Sequence, residues 1–436
     1  MELTLHAKRK LEGEVSLPGD KSLSHRAALF AALADGVSEI DNFLDAGVTR
    51  AMLNALSAFG VRYELHGRHL TVCSHGLAGW REPQAPVFCG NSATTYRLLA
   101  GAVAASGLAC TLDGSEGLRT RPMERIFQPL RQMGAGIESD NGRAPARFLA
   151  RSREVPLRPI QSTLPVASAQ VKSCLTIAAL YADGESVLDE PGPSRDHTER
   201  MLRSMGAQVS SCEGNRVRIA GGCVPLRPLR IDLPGDISSA AFLLTAAALV
   251  PGSSVRIRSV GVNPTRTGFL DALRAMGGSF TVENERVVCG EPVGDIRLTA
   301  SPLSATEVSG DLVVRMIDEF PVFAALACGA NGVTRVREAK ELRYKESDRI
   351  AILCEGLKSL GATVEEFEDG FDLVGGTCRG GEVDAHGDHR LAMSFALLGL
   401  ISPEPVVVRH AEILNESFPE FLTDLQQIGG EVCLSA

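Results

Sequence analysis

The stretch LPGDKSLSHRAALFAAL, residues 17–33, returns in outline 216 residues later as LPGDISSAAFLLTAAAL, residues 233–249. Each copy is a Pro-Gly turn followed by an Ala- and Leu-rich helix, and strand-like alternation precedes both, as in LTLHAKRKLEGEV and RVRIAGGCVPLRPLRI. A shorter pattern repeats six times. Leu, two residues, a large apolar residue and Gly occur as Leu56…Gly60, Leu130…Gly134, Leu202…Gly206, Leu273…Gly277, Leu357…Gly361 and Leu425…Gly429. Three residues after each Gly stands Tyr63, Ile137, Val209, Phe280, Val364 or Val432. This predicts a helix closed by a left-handed Gly and followed at once by a strand. The glycines are 74, 72, 71, 84 and 68 residues apart, too long for a solenoid and suited to a βαβαββ module. Six modules and one long-range repeat make two halves of three. The expected lobes are 1–19 with 235–436, and 20–234. Helices such as VKSCLTIAALYADG and PVFAALACGANG carry few charges and read as buried on all sides. The fold class is therefore α/β with helices inside and sheets outside.

Composition narrows the function. With 436 residues and 44% hydrophobic content, the chain can bury more than one core. No run of about 18 apolar residues predicts a membrane span. MELTLHAKRKLEGEV has neither an apolar signal core nor the character of a transit segment, so a cytoplasmic protein is expected. Eleven Cys without a C-x-x-C pair read as reduced, and no metal is expected. A net charge of −9 argues against nucleic acid, while an anionic small molecule requires cations gathered locally.

The gathering places are helix starts. GDKS lacks the earlier Gly of a phosphate-binding loop, position 14 being Glu, so an ATPase reading fails. A helix N-terminus still offers free N–H groups to an anion, and Lys21, Ser22 and Arg26 lie on its first turns. Cations there oppose the helix dipole at about 0.3–1 kcal/mol each, a mismatch that favours function over a solvated helix start. GNSATTYR (90–97), RTRPMER (119–125), SAQVKS (168–173), SRDHTERM (194–201), RYKESDRI (343–350) and GDHRLAMSFALLGL (387–400) repeat the theme. Three have an ordinary alternative, a surface charge run for 119–125, N-capping for 168–173 and a solvated helix face for 343–350, while 194–201 combines a capping Ser194 with Arg195. Together they imply a cleft between two lobes that is favourable to several anionic groups.

In order along the chain, GDKSLSHR, GNSATTYRLL, RTRPM, SAQVKS, SRDHTERM, MIDEFP, RYKESDR and GDHRLAM resemble the signatures of the 5-enolpyruvylshikimate-3-phosphate (EPSP) synthase family. The resemblance implies a two-domain inside-out α/β barrel and an N-terminal segment packed with the C-terminal half. It implies transfer of the enolpyruvyl group of phosphoenolpyruvate to the 5-hydroxyl of shikimate 3-phosphate, without metal or organic cofactor, by a monomer. By the same resemblance, shikimate 3-phosphate meets Lys21, Ser22, Arg26, Ser168, Ala169, Gln170, Arg195, Asp318 and Lys345. Phosphoenolpyruvate meets Lys21, Ala93, Thr94, Arg121, Gln170, Glu346, Arg349 and Arg390. Asp318 is the candidate to accept the hydroxyl proton and Glu346 to handle the proton at C3, with Lys21 assisting.

Two departures stand out. Ala93 occupies the position of a Gly in the herbicide-sensitive class, and with SRDHTERM it implies weak inhibition by glyphosate. Glu416, before Ser417-Phe418-Pro419, replaces a Lys of some members, so no phosphate role is carried over to it. The rivals are a UDP-N-acetylglucosamine enolpyruvyl transferase, which would show a Lys-Asn pair where Lys21-Ser22 stands, and a non-catalytic anion-binding scaffold.

Overall fold

The computed structural model describes residues 1–6, 10–222 and 225–435. Ala7–Arg9, within the first alternating stretch, and Cys223–Val224, within the second, lie outside the described residues. Among the described residues, six four-stranded sheets are built to one plan: a parallel pair, followed by strands added on one side. In one sheet, Arg230–Asp232 runs parallel to Asp35–Asp41, which pairs antiparallel with His69–His75, itself antiparallel to Arg62–His66.

The six predicted glycines all take positive φ, from +79° at Gly361 to +102° at Gly134. In each repeat the N–H following the Gly donates back to the carbonyl of the Leu, as Val61 does to Leu56 and Ala135 to Leu130. That bond closes the helix and turns the chain into the next strand, because an L side chain at the same φ would crowd its own carbonyl. Tyr63, Ile137, Val209, Phe280, Val364 and Val432 all lie in the strands that follow.

Two kinds of helix alternate. Those ending at the cap glycines are amphipathic; Gly47–Ala58 buries Thr49, Met52, Leu53, Ala55 and Leu56 and leaves its other face outward. The others are buried all round. Every residue of Ile237–Leu249 and Phe320–Cys328 is buried, as is every residue of Lys21–Leu33 after Ser22. Each large apolar side chain so removed from water contributes about 1.5–3 kcal/mol. Side-chain caps define where several begin: Asp20 accepts from the Leu23 N–H at 2.8 Å, and Asp236 from that of Ser238 at 2.8 Å.

By internal contacts the chain forms two compact units. One comprises Met1–Pro18, Pro234–Arg286 and Pro292–Ala436; the other comprises Gly19–Leu233 and Val287–Glu291. The expected division kept 235–436 together, whereas residues 287–291 group with the 19–233 unit. The reason is local: His197 Nδ1 meets Glu291 Oε1 at 2.8 Å, and Arg200 donates to the Gly290 carbonyl at 2.7 Å. In the first unit, Glu2–His6 lies between Val406–Arg409 and Glu431–Ser435, and Glu12–Ser16 pairs parallel with Ser254–Gly261. The repeated turns mark the changes of unit. At Gly19 a Cβ would lie 2.0 Å from the Asn42 carbonyl oxygen, so this close approach of backbones admits only Gly. Among the described residues no helix is long and apolar enough to cross a membrane, and the described cysteines are unbridged.

Candidate active site

The predicted residues fall into two groups, one in each unit. In the 19–233 unit, Lys21, Ser22, Ala93, Thr94, Ala169 and Gln170 stand on the first turns of the helices Lys21–Leu33, Ala93–Ser106 and Ala169–Ala179. Ser168 is at the cap of the last, Arg26 lies one turn further along the first, and Arg121 and Arg195 stand outside these helices. Arg26 is 2% exposed. Its Nε donates to Thr198 Oγ1 at 2.8 Å, its NH1 to the Ser22 carbonyl at 2.9 Å and its NH2 to Ser173 Oγ at 2.9 Å. Ser173 in turn donates to the Ala169 carbonyl at 2.6 Å. Arg26 therefore joins the start of its own helix to that of the Ala169 helix. Burial, the largest influence, brings its pKa down to about 10, with Glu199 and Asp20 opposing; it stays charged at neutral pH.

Gln170 donates from Nε2 to Thr94 Oγ1 at 2.9 Å and accepts at Oε1 from Arg97 NH1 at 2.6 Å. Because a guanidinium has only donors, Arg97 dictates which end of the amide faces Thr94. Its NH2 also holds the Pro122 carbonyl at 3.1 Å, next to the buried Arg121. Arg97 was absent from the expected site although it ends the GNSATTYR motif; its spacing from Thr94 was the available signal. Ala93 is the first residue of its helix and buried, behind Ser92, which caps Thr95 at 3.1 Å.

Ser168 begins its helix without a side-chain cap, which leaves its hydroxyl uncommitted to the backbone there. Ser194, expected as a cap, instead serves a buried ion cluster, donating to Glu190 Oε1. Lys172 Nζ lies 2.7 Å from Glu190 and 2.8 Å from Glu199, all three side chains at most 3% exposed. Burial opposes the Lys172 charge, yet the two carboxylates outweigh it and raise its pKa. One ammonium cannot fully serve two buried carboxylates, and burial drives that of Glu190 upward. The cluster fixes Ser194 and so the base of half-buried Arg195.

In the other unit, Asp318, Lys345, Glu346, Arg349 and Arg390 form one network. Asp318 Oδ1 lies 3.6 Å from Lys345 Nζ and 3.7 Å from Arg349 NH1. Arg349 NH2 donates to Glu346 Oε2 at 2.7 Å, and its Nε to Asp388 Oδ2 at 2.8 Å. Arg390 NH1 donates to the Asp318 carbonyl at 3.1 Å. Arg349 is 1% exposed, so the 343–350 charge run is not a solvated face. Burial alone would lower its pKa; Asp388, Glu346 and Asp318 reverse the sign and raise it. Asp388, fully buried, is lowered despite its own burial, chiefly by Arg349. It also caps its helix, accepting from the Arg390 N–H at 3.0 Å, and receives the Ser347 hydroxyl at 3.0 Å. Asp388 thus sets Arg349 and Arg390 together. It sat in the GDHRLAM motif, but its counter-charge role depends on Arg349, 39 residues away.

Chemically, this second network sets three carboxylates around one guanidinium, and two of them, of Asp318 and Glu346, are only part-buried while that of Asp388 is fully buried. Such a pair suits proton transfers to and from one substrate beside an anion. No group of His, Cys, Asp and Glu among the described residues has the arrangement of a metal site.

A family model described as EPSP synthase (3-phosphoshikimate 1-carboxyvinyltransferase) matches residues 5–425. The 3-phosphoshikimate 1-carboxyvinyltransferase of Citrifermentans bemidjiense is 44% identical over 426 residues, 98% of each chain. That of Acidithiobacillus ferrooxidans is 46% identical over 422 residues, 96% of each. A solved structure of EPSP synthase from Acinetobacter baumannii superposes with a TM-score of 0.88 and 40% identity, covering 99% of this chain and 100% of that one. The chain belongs to the EPSP synthase family.

Proposed function

We propose that the protein transfers the enolpyruvyl group of phosphoenolpyruvate to the 5-hydroxyl of shikimate 3-phosphate and releases phosphate. The observation that carries the mechanism is the placement of Asp318 and Glu346 on either side of Arg349, at 3.7 and 2.7 Å. Asp318 takes the hydroxyl proton as oxygen attacks C2 of the donor, while Glu346 delivers a proton to C3. A tetrahedral intermediate results. Loss of a C3 proton to Glu346 then expels phosphate and restores the double bond. Lys21 stabilises the charge that accumulates on the leaving phosphate or shuttles a proton.

Shikimate 3-phosphate is assigned to Lys21, Ser22, Arg26, Ser168, Ala169, Gln170, Arg195, Asp318 and Lys345. Phosphoenolpyruvate is assigned to Lys21, Ala93, Thr94, Arg121, Gln170, Glu346, Arg349 and Arg390. The guanidinium groups suit its phosphate and carboxylate because each can bind two oxygens at once. Arg26 and Arg97 support the reading by holding the backbone and amide of these first turns. A monomer in the cytoplasm, working without metal or organic cofactor, belongs to the same reading, as does weak inhibition by glyphosate.

The test is release of phosphate from phosphoenolpyruvate with and without shikimate 3-phosphate. Release is expected only with both, and Asp318→Asn and Glu346→Gln should each lower turnover at least ~10²-fold. Release without the acceptor, or none with it, refutes the reaction. Near-normal turnover in either variant removes the role given to that residue.

A further inference from the structure

Asp318 sits in the turn that leads into the buried helix Phe320–Cys328. The turn is pinned by its backbone: the Glu319 N–H donates to the Met316 carbonyl at 2.9 Å, and the Phe323 N–H to the Glu319 carbonyl at 2.8 Å. Arg390 holds the carbonyl of Asp318. The two adjacent carboxylates then part. Asp318 turns to Lys345 and Arg349, as described. Glu319, 0% exposed, turns to the first turn of a different helix, Ile237–Leu249, where the Ser238 hydroxyl donates to its Oε1.

Behind Ser238 stands Arg266, 2% exposed. Its NH2 donates to Ser238 Oγ at 2.8 Å and lies 3.3 Å from Asp236 Oδ1 and 3.7 Å from Glu319 Oε1. Ser238 is therefore the hinge of the cluster, accepting from the guanidinium and donating to the carboxylate.

No step of the proposed reaction uses these side chains, and they are a poor means of holding two helices together. Burying one guanidinium and two carboxylates costs desolvation that their attraction repays only with full hydrogen bonding, and apolar side chains of similar volume do as well or better. Here bonding is incomplete, because Glu319 Oε2 has no hydrogen-bond partner. Nor does the Glu319 side chain cap its own helix, although it stands at the cap position. What the cluster does fix is direction. With Glu319 bound on one side of the turn, the next residue back is constrained to the other.

We propose that Arg266, Ser238 and Glu319 are positioning residues that hold the 316–319 turn and so aim the Asp318 carboxylate at its substrate. The inference rests on Asp318 as the base. A misplacement of about 1 Å at a reacting group can cost up to ~10²-fold, and the loss falls on the chemical step.

Steady-state kinetics of the full chain with phosphoenolpyruvate and shikimate 3-phosphate test it. Ser238→Ala should lower kcat about tenfold and leave both KM values within about twofold, and Ser238→Thr, which restores the hydroxyl, should recover most of the loss. In an Asp318→Asn background, Ser238→Ala should cost nothing more, since the group it aims has gone. Glu319→Gln keeps the bond to Ser238, loses the attraction to Arg266 and should fall between; it replaces Ser238→Ala should that variant not fold. Wild-type kcat in Ser238→Ala, or the same fractional loss with and without Asp318, overturns the proposal. Near-normal kcat in Asp318→Asn overturns the base assignment itself, and the positioning role with it.

Discussion

A single methyl, that of Ala93, makes the most specific statement at the scale of one residue. It begins a helix at the place assigned to phosphoenolpyruvate, where the herbicide-sensitive class of the family has Gly. On the proposed reading glyphosate competes for that place and is longer than phosphoenolpyruvate, so the methyl should exclude it more than the substrate, at about 1–3 kcal/mol. Ala93→Gly should then strengthen glyphosate inhibition at least about tenfold, with a smaller fall in KM for phosphoenolpyruvate. The ratio of inhibition constant to KM reads this directly, and an unchanged ratio removes the methyl as the determinant. Other residues were less legible. Asp388, Arg97 and Glu319 lie inside motifs that the sequence singles out, yet their roles depend on partners 39, 73 and 81 residues away. Arg349 could equally have been one charge of a solvated run; only its burial decides otherwise.

At the scale of elements, buried helices are tied to one another at their starts. His25 Nδ1 donates to the Lys21 carbonyl at 2.7 Å, and its Nε2 meets Ser92 Oγ at 3.2 Å and the Val48 carbonyl at 3.1 Å. It thereby links the first turn of the Lys21 helix to the cap of the Ala93 helix. Burial, reinforced by the charges of Lys21 and Arg26, pushes the imidazole down to about 4 from 6.5. Between those values the unfolded chain binds a proton that the folded chain refuses. Stability from this group is therefore whole above pH 6.5 and lost as pH falls toward 4, up to about 3 kcal/mol. His25→Asn, which keeps a donor for Lys21 but does not titrate, should flatten the acid side of the stability curve relative to the parent. Urea midpoints from pH 7 to 4.5 check this; parallel curves would show that other groups carry the dependence. The outer elements were the easiest to read. A Gly after an amphipathic stretch has one conformational use there, so six caps and six following strands could be placed without tertiary information.

For the whole molecule, charge sets a requirement. A chain of net −9 repels its proposed substrates at long range unless local cations dominate near the site. Screening shortens from about 10 Å at 0.1 M salt to about 3 Å at 1 M. KM for both substrates should therefore rise several-fold over that range while kcat stays within about twofold. A KM independent of salt would mean that long-range attraction contributes nothing to capture.

Local physics made the modules, their number and the family signatures readable from the chain, because a left-handed Gly cap or an apolar stripe depends on neighbours a few residues away. The two LPGD turns were readable for the same reason, each a Pro-Gly step before a capping Asp. Grouping residues 287–291 with the 19–233 unit depended on His197 and Arg200, about 90 residues distant. The sharing of charge among Lys172, Glu190 and Glu199, and the divergence of Asp318 toward Lys345 and Arg349 from Glu319 toward Ser238, likewise depended on partners in other elements. Those outcomes turn on burial and on which opposite charge lies within about 4 Å, and both exist only once distant segments have packed.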